Sequence, residues 1–363
     1  MGVVANIFLV EEIDLQAAAA LVIPVRDPQP WSPGDPHLYE MIFEVLSSDG
    51  QTLDQVESYV GLRKVHIEGH RVFLNNEPVY QRLVLDQGFY PDGIWTAPSD
   101  AALKADIEMS MRAGFNGARL HQKVFEERFH YWADRLGYLT WGESASWGCD
   151  PFSDQGARNF LGEWHQIVER DRNHPSIIAW TPWNETWHLG DDPQAHHRTH
   201  ADSYDLCKSL DPTRPVNDAS GGIHVKTDLW TEHHYEQDAA KLEQILTPSA
   251  NGPWLREPNR IFRYGGQPYF LDEFGGTKWV GEKRRDEDGG DWGYGEGPRT
   301  LEEFYQRLEA LVETVLGLDH CCGYCYTQLT DVEQECNGIF RYDRSEKFDL
   351  DRIRAIFSRL PSP

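Results

Sequence analysis

The chain has 363 residues, with 34 basic and 59 acidic side chains, and a formal net charge of −25 at pH 7. This length accommodates a (β/α)8 barrel together with one small additional domain. The negative charge repels phosphate backbones and anionic lipid surfaces, which argues against nucleic acid and membranes as partners.

Residues 1–62 are predicted to form an incomplete, immunoglobulin-like β-sandwich. Apolar and polar residues alternate over 38–46 and 55–60, and Asp49 and Gly50 lie between these runs, a pattern typical of a β-hairpin. Only about four strands are available, fewer than a complete sandwich contains. The sheet edges therefore need to be covered by the barrel or by a partner, and a homo-oligomer is one way to cover them.

The first residues also predict a compartment. Glu11, Glu12 and Asp14 precede the apolar stretch, whereas a signal peptide begins with basic residues, and no run is long enough to span a bilayer. We therefore expect a cytoplasmic protein.

Residues 63–363 are predicted to form a (β/α)8 barrel of the α/β class. Ser99 and Asp100 can cap a first helix that ends near Gly114, and further helices are predicted around 125–136 and 160–171. Strands alternating with helices imply a closed parallel barrel with its active site at the carboxyl ends of the strands. The eight predicted strands are 80–85, 115–120, 138–141, 177–180, 216–219, 228–230, 269–271 and 322–326.

Two of these strands end at an acidic residue. Glu185 follows the mostly apolar run 177–184, and Glu273 follows the run 269–272. A short apolar strand that stops at an acid is typical of an inner barrel strand that delivers a charged side chain to the barrel mouth. The sequence therefore predicts a pair of carboxylates at one site.

Three ordered motifs carry a family resemblance: 116–121 (NGARLH), 171–185 (DRNHPSIIAWTPWNE) and 272–276 (DEFGG). Together they resemble glycoside hydrolase family 2, the family of β-galactosidases, β-glucuronidases and β-mannosidases. The resemblance runs from about residue 25 to the end. It implies a retaining β-glycoside hydrolase that needs no cofactor.

The resemblance also implies residue roles. Glu185 would be the acid/base and Glu273 the nucleophile, because an oxocarbenium-like transition state needs a proton on the leaving oxygen and an anion on the opposite face. Asn184 would contact the sugar 2-hydroxyl. Arg119 would lie near the nucleophile and keep it ionised, with a structural ion pair as the alternative. Tyr235 would donate a hydrogen bond to Glu273, with simple packing as the alternative.

Other residues near predicted strand ends are candidates for sugar binding. For each of them a rim or packing role is an equal alternative. The charged, Gly-rich segment 281–298, with Trp292 and Tyr294, is a candidate lid or subsite, or a plain insertion. The candidate substrate-binding residues are Asp86, His121, Lys123, Trp147, Trp183, Asp218, Trp279 and Tyr326.

The chain departs from the family pattern in three respects. The N-terminal jelly-roll of family members is missing, so the chain is a fragment or a partner supplies that surface. Tyr326 stands where the family often has Trp. The β-glucuronidase branch carries an Asn-x-Lys clamp before Gly-Ile-Phe, whereas this chain has Glu335, Cys336 and Asn337 there. An acid at that position repels a uronate and favours a neutral sugar such as galactose, although Lys123 can still approach a carboxylate from another side.

Three functions are compatible with these sequence features. The first is a retaining β-glycosidase acting on a neutral sugar. The second is a catalytically weak or inactive sugar-binding barrel that lacks its jelly-roll. The third is a metal-dependent hydrolase that uses His196, His197 and His200, but no third ligand is predicted beside a pair of these histidines, and the sequence predicts no metal site.

Overall fold

The computed structural model describes residues 24–186, 192–248, 262–281 and 290–362. The strands are β1 Tyr39–Leu46, β2 Thr52–Val60, β3 Val65–Glu68, β4 Arg71–Leu74, β5 Glu77–Pro78, β6 Gln81–Asp86, β7 Gly117–Leu120, β8 Leu139–Glu143, β9 Ile177–Thr181, β10 Trp183–Asn184, β11 Ala219–Ser220, β12 Trp230–His234, β13 Tyr269–Gly275 and β14 Cys321–Thr327. The helices are α1 Asp100–Arg112, α2 Glu127–Leu136, α3 Asp154–Asp171, α4 Pro193–Leu210, α5 Ala239–Leu246, α6 Leu301–Leu316 and α7 Leu350–Phe357.

The predicted hairpin is present. Strands β1 and β2 pair antiparallel, from Tyr39 opposite Val60 to Leu46 opposite Thr52. Gly50 turns the chain between them at φ +82°, in the left-handed region that favours glycine. Apolar side chains such as Ile42 and Leu53 are exposed on the hairpin. The homo-oligomer expected to cover this sheet stays a prediction.

Side chains at the bottom of the barrel hold the hairpin in place. The Tyr59 hydroxyl donates to the buried Asp134 carboxylate at 2.7 Å, and His174 Nδ1 lies 2.6 Å from the same carboxylate oxygen. Trp31, which is fully buried, donates its indole N–H to the Asp134 carbonyl at 2.7 Å. One buried acid on α2 therefore links the segment before the barrel to the barrel itself.

A small antiparallel sheet precedes the barrel, and the sequence reasoning missed it. Strands β3, β4 and β5 pair in that order. Val65, Val72 and Leu74 pack in one cluster with residues early in the barrel strands, such as Leu83 and Phe270. This sheet therefore closes the end of the barrel opposite the catalytic mouth.

The parallel barrel is confirmed. Seven strands form one sheet in the order β12-β13-β14-β6-β7-β8-β9, and each strand pairs in parallel with the next. The predicted fifth strand, 216–219, has short contacts instead of a long ladder: Val216 bridges Trp180, and β11 pairs with β10. On its other side, Gly221 N–H donates to Thr231 Oγ1 on β12 at 3.1 Å. Strand six was predicted at 228–230 and lies at Trp230–His234.

The helices begin where their capping residues indicate. Ser99 accepts a hydrogen bond from Ala102 N at the start of α1, as predicted. The helix predicted at 160–171 begins earlier, at Asp154, because Ser153 caps it through Gly156 N. Among the described residues, each helix is too short or too polar to span a membrane. The expectation about the compartment concerns residues 1–23, which lie outside the described residues.

Candidate active site

The two predicted carboxylates meet at the barrel mouth. Glu185 directly follows β10, and Glu273 lies within β13. One oxygen of each carboxylate and one nitrogen of His233 all lie within 4.8 Å of one another. Glu185 has a φ of +52°, an unusual value for a residue other than glycine, and its N–H donates to Ser220 O at 2.9 Å. The backbone at this position is therefore held in a strained conformation beside strand five.

Arg119 links four strands of the barrel. Its guanidinium is fully buried and donates to both oxygens of Glu143, at 2.6 and 3.1 Å. It also donates to Glu273 Oε1 at 2.8 Å and to Asn184 Oδ1 at 2.5 Å. Burial disfavours the charge, but Glu143 and Glu273 hold the pKa of Arg119 well above its ordinary value. Arg119 thus supplies a permanent positive charge next to Glu273.

A histidine lies between the two carboxylates. His233 Nδ1 is 2.9 Å from Glu185 Oε1 and 3.3 Å from Glu273 Oε2. Burial alone would raise the pKa of Glu185, but the hydrogen bond and the charge of His233 outweigh burial and lower it. The lowered pKa of Glu185 and the raised pKa of His233 favour an ionised carboxylate that faces a protonated ring.

Two tyrosines lie beside Glu273. The Tyr235 hydroxyl donates to Glu273 Oε2, so each oxygen of Glu273 has its own donor. Burial and the Glu273 charge keep the pKa of Tyr235 well above its ordinary value. The Tyr294 ring stacks on the Tyr235 ring with centroids 3.3 Å apart, over Gly276, where a Cβ would lie 2.4 Å from Tyr294. The candidate lid segment 281–298 therefore contributes Tyr294 to the site, while residues 282–289 of that segment lie outside the described residues.

Asn184, His121 and Trp147 also lie at the mouth. Asn184 Nδ2 is buried and finds no acceptor among the described residues, so it is available to a ligand. His121 Nδ1 lies 3.0 Å from Arg119 Nη2 and 3.9 Å from Glu273 Oε1. Trp147 is 61% exposed and meets the His121 ring edge-on at 5.4 Å, which places it at the rim.

Three of the predicted sugar-binding aromatic residues pack in the interior instead. Trp183 is stacked between Phe160 and His200 behind strand four. Tyr326 is fully buried, and its ring contacts Phe357 on α7, so it points to the helical layer. Trp279 packs against Phe304 on α6 in the same cluster. For these three residues the structure favours the packing alternative.

Lys123, Asp86 and Asp218 are occupied by local contacts. Lys123 Nζ donates to Gly88 O at 3.1 Å and lies 3.3 Å from Glu126, so it is directed away from the carboxylate pair. Asp86 accepts from Gly88 N at 2.9 Å, and burial together with the charge of Asp106 raises its pKa to about 6. Asp218 is fully buried, pairs with His224 at 2.7 Å and accepts the N–H groups of residues 225 and 226, which shapes the loop after strand five.

His196 and His200 of the histidine cluster pack against each other in the described part of the chain. The one set of three His, Cys, Asp or Glu side chains with closely spaced ligand atoms there is Glu185, His233 and Glu273. His196 and His200 stack on each other with centroids 3.8 Å apart. Burial lowers the pKa of His196 to about 3 and that of His200 to about 4. Both rings are therefore neutral packing groups near neutral pH.

Sequence reasoning missed three polar members of this site. Glu143 ends β8 after a buried run, so the strand-end rule that found Glu185 could have found it as well. Asp272 accepts from the Ser220 hydroxyl, and its place directly before Glu273 was the available signal. His233 lies on β12, two residues before Tyr235, but nothing in its sequence pattern indicated that it faces both carboxylates.

Comparison with known families decides the identity of this barrel. The model of the glycosyl hydrolases of family 2 matches residues 5–63, and the model of the family's TIM barrel domain matches residues 96–258. The chain belongs to glycoside hydrolase family 2. The predicted family and fold class are thereby confirmed.

Curated family 2 relatives include β-galactosidases that are much longer than this chain. The β-galactosidase of Pseudoalteromonas haloplanktis is 29% identical over 261 residues, which cover 69% of this chain and 24% of the relative. That of Photobacterium profundum is 26% identical over 243 residues, which cover 65% of this chain and 23% of the relative. The chain thus spans about a quarter of the length of these relatives.

Solved family 2 structures share the fold. The β-galacturonidase of Eisenbergiella tayi bound to galacturonate matches with a TM-score of 0.70 and 21% identity, over 92% of this chain and 60% of that one. The β-glucuronidase of Bifidobacterium dentium complexed with coumarin-3-O-glucuronide matches with a TM-score of 0.76 and 19% identity. This match covers 93% of this chain and 56% of that one. At these identities the likeness establishes the fold and leaves the substrate open.

Proposed function

We propose that this chain is the catalytic part of a retaining β-glycoside hydrolase that acts on a neutral sugar such as a β-galactoside. The observation that carries the proposal is the pair Glu185 and Glu273, with carboxylate oxygens within 4.8 Å of each other across the barrel mouth. Retaining enzymes hold their two carboxyl groups about 5–5.5 Å apart, whereas inverting enzymes separate them by about 6.5 Å or more to admit a water molecule.

The surrounding contacts suit these two roles. Arg119 and Tyr235 hold one oxygen each of Glu273, which fixes an ionised nucleophile for attack on the anomeric carbon. Glu185, which directly follows β10, would pass a proton to the departing oxygen and later take one from water. The free Nδ2 of Asn184 lies beside the acid/base and can donate to a sugar hydroxyl. Such a hydrogen bond accelerates the reaction to the extent that it strengthens in the transition state.

A polar network near the site supports a neutral sugar. Gln87 Nε2 donates to Glu335 at 3.1 Å and to Gln328 at 2.7 Å, and Asn337 Nδ2 donates to Glu335 at 3.2 Å. Burial raises the pKa of Glu335, against the opposing effect of these amide hydrogen bonds. Three amides and one acid offer no cation to a uronate carboxylate, and an ionised Glu335 repels it. Lys123, the cation considered earlier for that role, is directed towards Gly88 and Glu126.

A substrate panel tests activity and sugar preference together. We expect turnover of p-nitrophenyl β-galactoside in preference to the corresponding β-glucoside, β-mannoside and β-glucuronide. Early proton NMR spectra of the reaction should show the β-anomer of the released sugar first, as retention requires. Release of the α-anomer first would exclude the double displacement, and a clear preference for the glucuronide would exclude the role assigned to Glu335.

The nucleophile is tested with a matched variant. Glu273→Gln should abolish turnover, because an amide cannot form the glycosyl ester. Glu232→Gln serves as control, since Glu232 is also a buried acid but lies on β12 and accepts from Tyr269. Unchanged turnover in Glu273→Gln would refute the assignment. Sugar binding by calorimetry without turnover at any pH would instead support the sugar-binding barrel.

A further inference from the structure

His233 has contacts with both carboxylates of the proposed active site and with the polar residues behind them. Its Nδ1 faces Glu185 Oε1 at 2.9 Å and Glu273 Oε2 at 3.3 Å. Its Nε2 lies 2.9 Å from Ser220 Oγ and 3.4 Å from Asp272 Oδ1. The side chain is only 3% exposed. Both ring nitrogens are therefore held in fixed positions in a site from which solvent is largely excluded.

The hydrogen-bond directions determine where the ring carries protons. The Ser220 hydroxyl donates its single proton to Asp272, so it can only accept from His233, and Nε2 must carry a proton. Between Nδ1 and Glu185 Oε1 there is then room for one proton. Either it resides on the ring, which is then an imidazolium facing a carboxylate, or it resides on Glu185, which then donates to a neutral ring.

The backbone around the ring is adapted to this placement. Gly221 follows β11 at φ +58°, and a Cβ there would lie 2.3 Å from the His233 ring. The pairing of β12 with β13 shifts register between Glu232 and His233. Such a bulge re-aims the following side chain. Together the glycine and the bulge let the ring enter the mouth beside the acid/base.

The charges around the ring come from several strands. Asp272 and Glu273 approach from β13, and Glu185 approaches from the end of β10. Arg119 from β7 lies on the far side of Glu273. His121, directly after β7, and Tyr235, directly after β12, also contact Glu273. Three carboxylates thus face His233 directly, while the permanent cation acts on it through Glu273.

We propose that His233 is a catalytic residue that shares a single proton with Glu185 and stores it between turnovers. This inference rests on the proposed glycosidase function. In the first step, Glu185 gives the shared proton to the glycosidic oxygen. That oxygen leaves the anomeric carbon as Glu273 forms a bond to the same carbon. The ring is then neutral and presents the lone pair of Nδ1 to the ionised Glu185. In the second step, water loses a proton to the pair, its oxygen bonds to the anomeric carbon, and Glu273 departs as a carboxylate.

The electrostatics agree with this geometry. Burial would lower the pKa of His233, yet the charges of Glu273 and Asp272 and the hydrogen bonds raise it to about 10. The proton therefore stays with the pair far above the pH at which an isolated glutamic acid loses its own. The pH at which activity is lost on the alkaline side is then set by the apparent pKa of the His233–Glu185 pair.

The pH dependence of the rate tests the shared proton. In His233→Asn the amide can still donate to Glu185 but cannot titrate, so the high-pH limb of kcat/KM should move at least one pH unit lower than in the wild type. His224→Asn is the matched control: His224 is also buried and pairs with an acid, Asp218, but it contacts neither catalytic carboxylate. The control should keep the wild-type limb whatever its maximal rate. If the high-pH limb of kcat/KM in His233→Asn stayed at its wild-type position, the proposal would be overturned. An equal shift of that limb in the control would overturn it as well.

A measurement without substrate separates this inference from the proposed function. In protein labelled with 15N-histidine, the signals absent from His233→Asn identify the ring, and their shifts follow its protonation with pH. We expect a ring that is protonated at neutral pH in the wild type and that loses its proton at lower pH in Glu185→Gln. An identical titration of the ring in the wild type and in Glu185→Gln would refute the shared proton. Absence of turnover on every glycoside, with the NMR result as expected, would refute the glycosidase function alone.

Discussion

Replacing Arg119 by alanine removes the one side chain that joins Glu143, Glu273 and Asn184 in the barrel interior. Two carboxylates would lose their shared cation while remaining buried, and Asn184 Oδ1 would lose its donor. Breaking a buried ion pair by removing one partner costs about 3–5 kcal/mol. For 363 residues the unfolding entropy is about 0.76 kcal/mol per kelvin, so the expected fall in Tm is about 4–7 °C.

Arg128→Ala is the matched control for this change. Arg128 also makes two hydrogen bonds to one carboxylate, that of Asp100, but both side chains are about half exposed. An exposed ion pair contributes little to stability because solvent screens it, so its loss should lower Tm by about 1 °C at most. Thermal unfolding followed by circular dichroism at neutral pH compares the two variants. Equal melting of the Arg119 variant and the wild type, or equal losses in both variants, would refute the reasoning.

Three further predictions use other contacts of the molecule. Tyr235→Phe should lower kcat/KM about tenfold to a hundredfold, because a hydrogen bond to a charged group contributes about 1.5–3 kcal/mol; steady-state kinetics checks this. Burial holds the pKa of His200 at about 4, below its ordinary value of 6.5, so between these pH values the unfolded chain binds a proton that the folded chain does not, and stability decreases as the pH falls. Urea unfolding at pH 7 and at pH 5 measures this effect. Between these pH values the free energy of unfolding of His200→Gln should fall by about 2 kcal/mol less than that of the wild type. Tyr59→Phe should speed proteolysis within residues 39–60, because the hairpin loses its hydrogen bond to Asp134, while thermal unfolding of the barrel changes little.

The strand ends of this barrel could be predicted from sequence, because buried runs that stop at a polar residue mark them. Glu185 and Glu273 follow from that rule, and the family motifs added Arg119 and Tyr235. The direction of a side chain at a strand end could not be predicted in the same way. Successive residues of a strand point to opposite faces, so Trp183 enters the helical layer while its neighbour Asn184 faces the mouth.

Local irregularities explain why His233 was not predicted. The register shift between Glu232 and His233 changes which face each side chain takes, and such a shift depends on the neighbouring strand as much as on β12 itself. Lys123 illustrates the same limit for a long side chain. Its charged end is fixed by a backbone carbonyl at Gly88, and a sequence pattern does not indicate such a contact.

Glu185 and Glu273 have different cations beside them, and this difference fits the catalytic roles proposed for them. A nucleophile has to be ionised whenever substrate binds, and Glu273 lies against Arg119, which cannot lose its charge at any working pH. An acid/base has to be protonated in one step and ionised in the next, and Glu185 lies against His233, which can exchange a proton. If the two cations were interchanged, Glu185 would stay ionised beside the permanent charge and could not protonate the leaving oxygen. The placement of the titratable cation, and not only that of the two acids, therefore supports the role proposed for each acid.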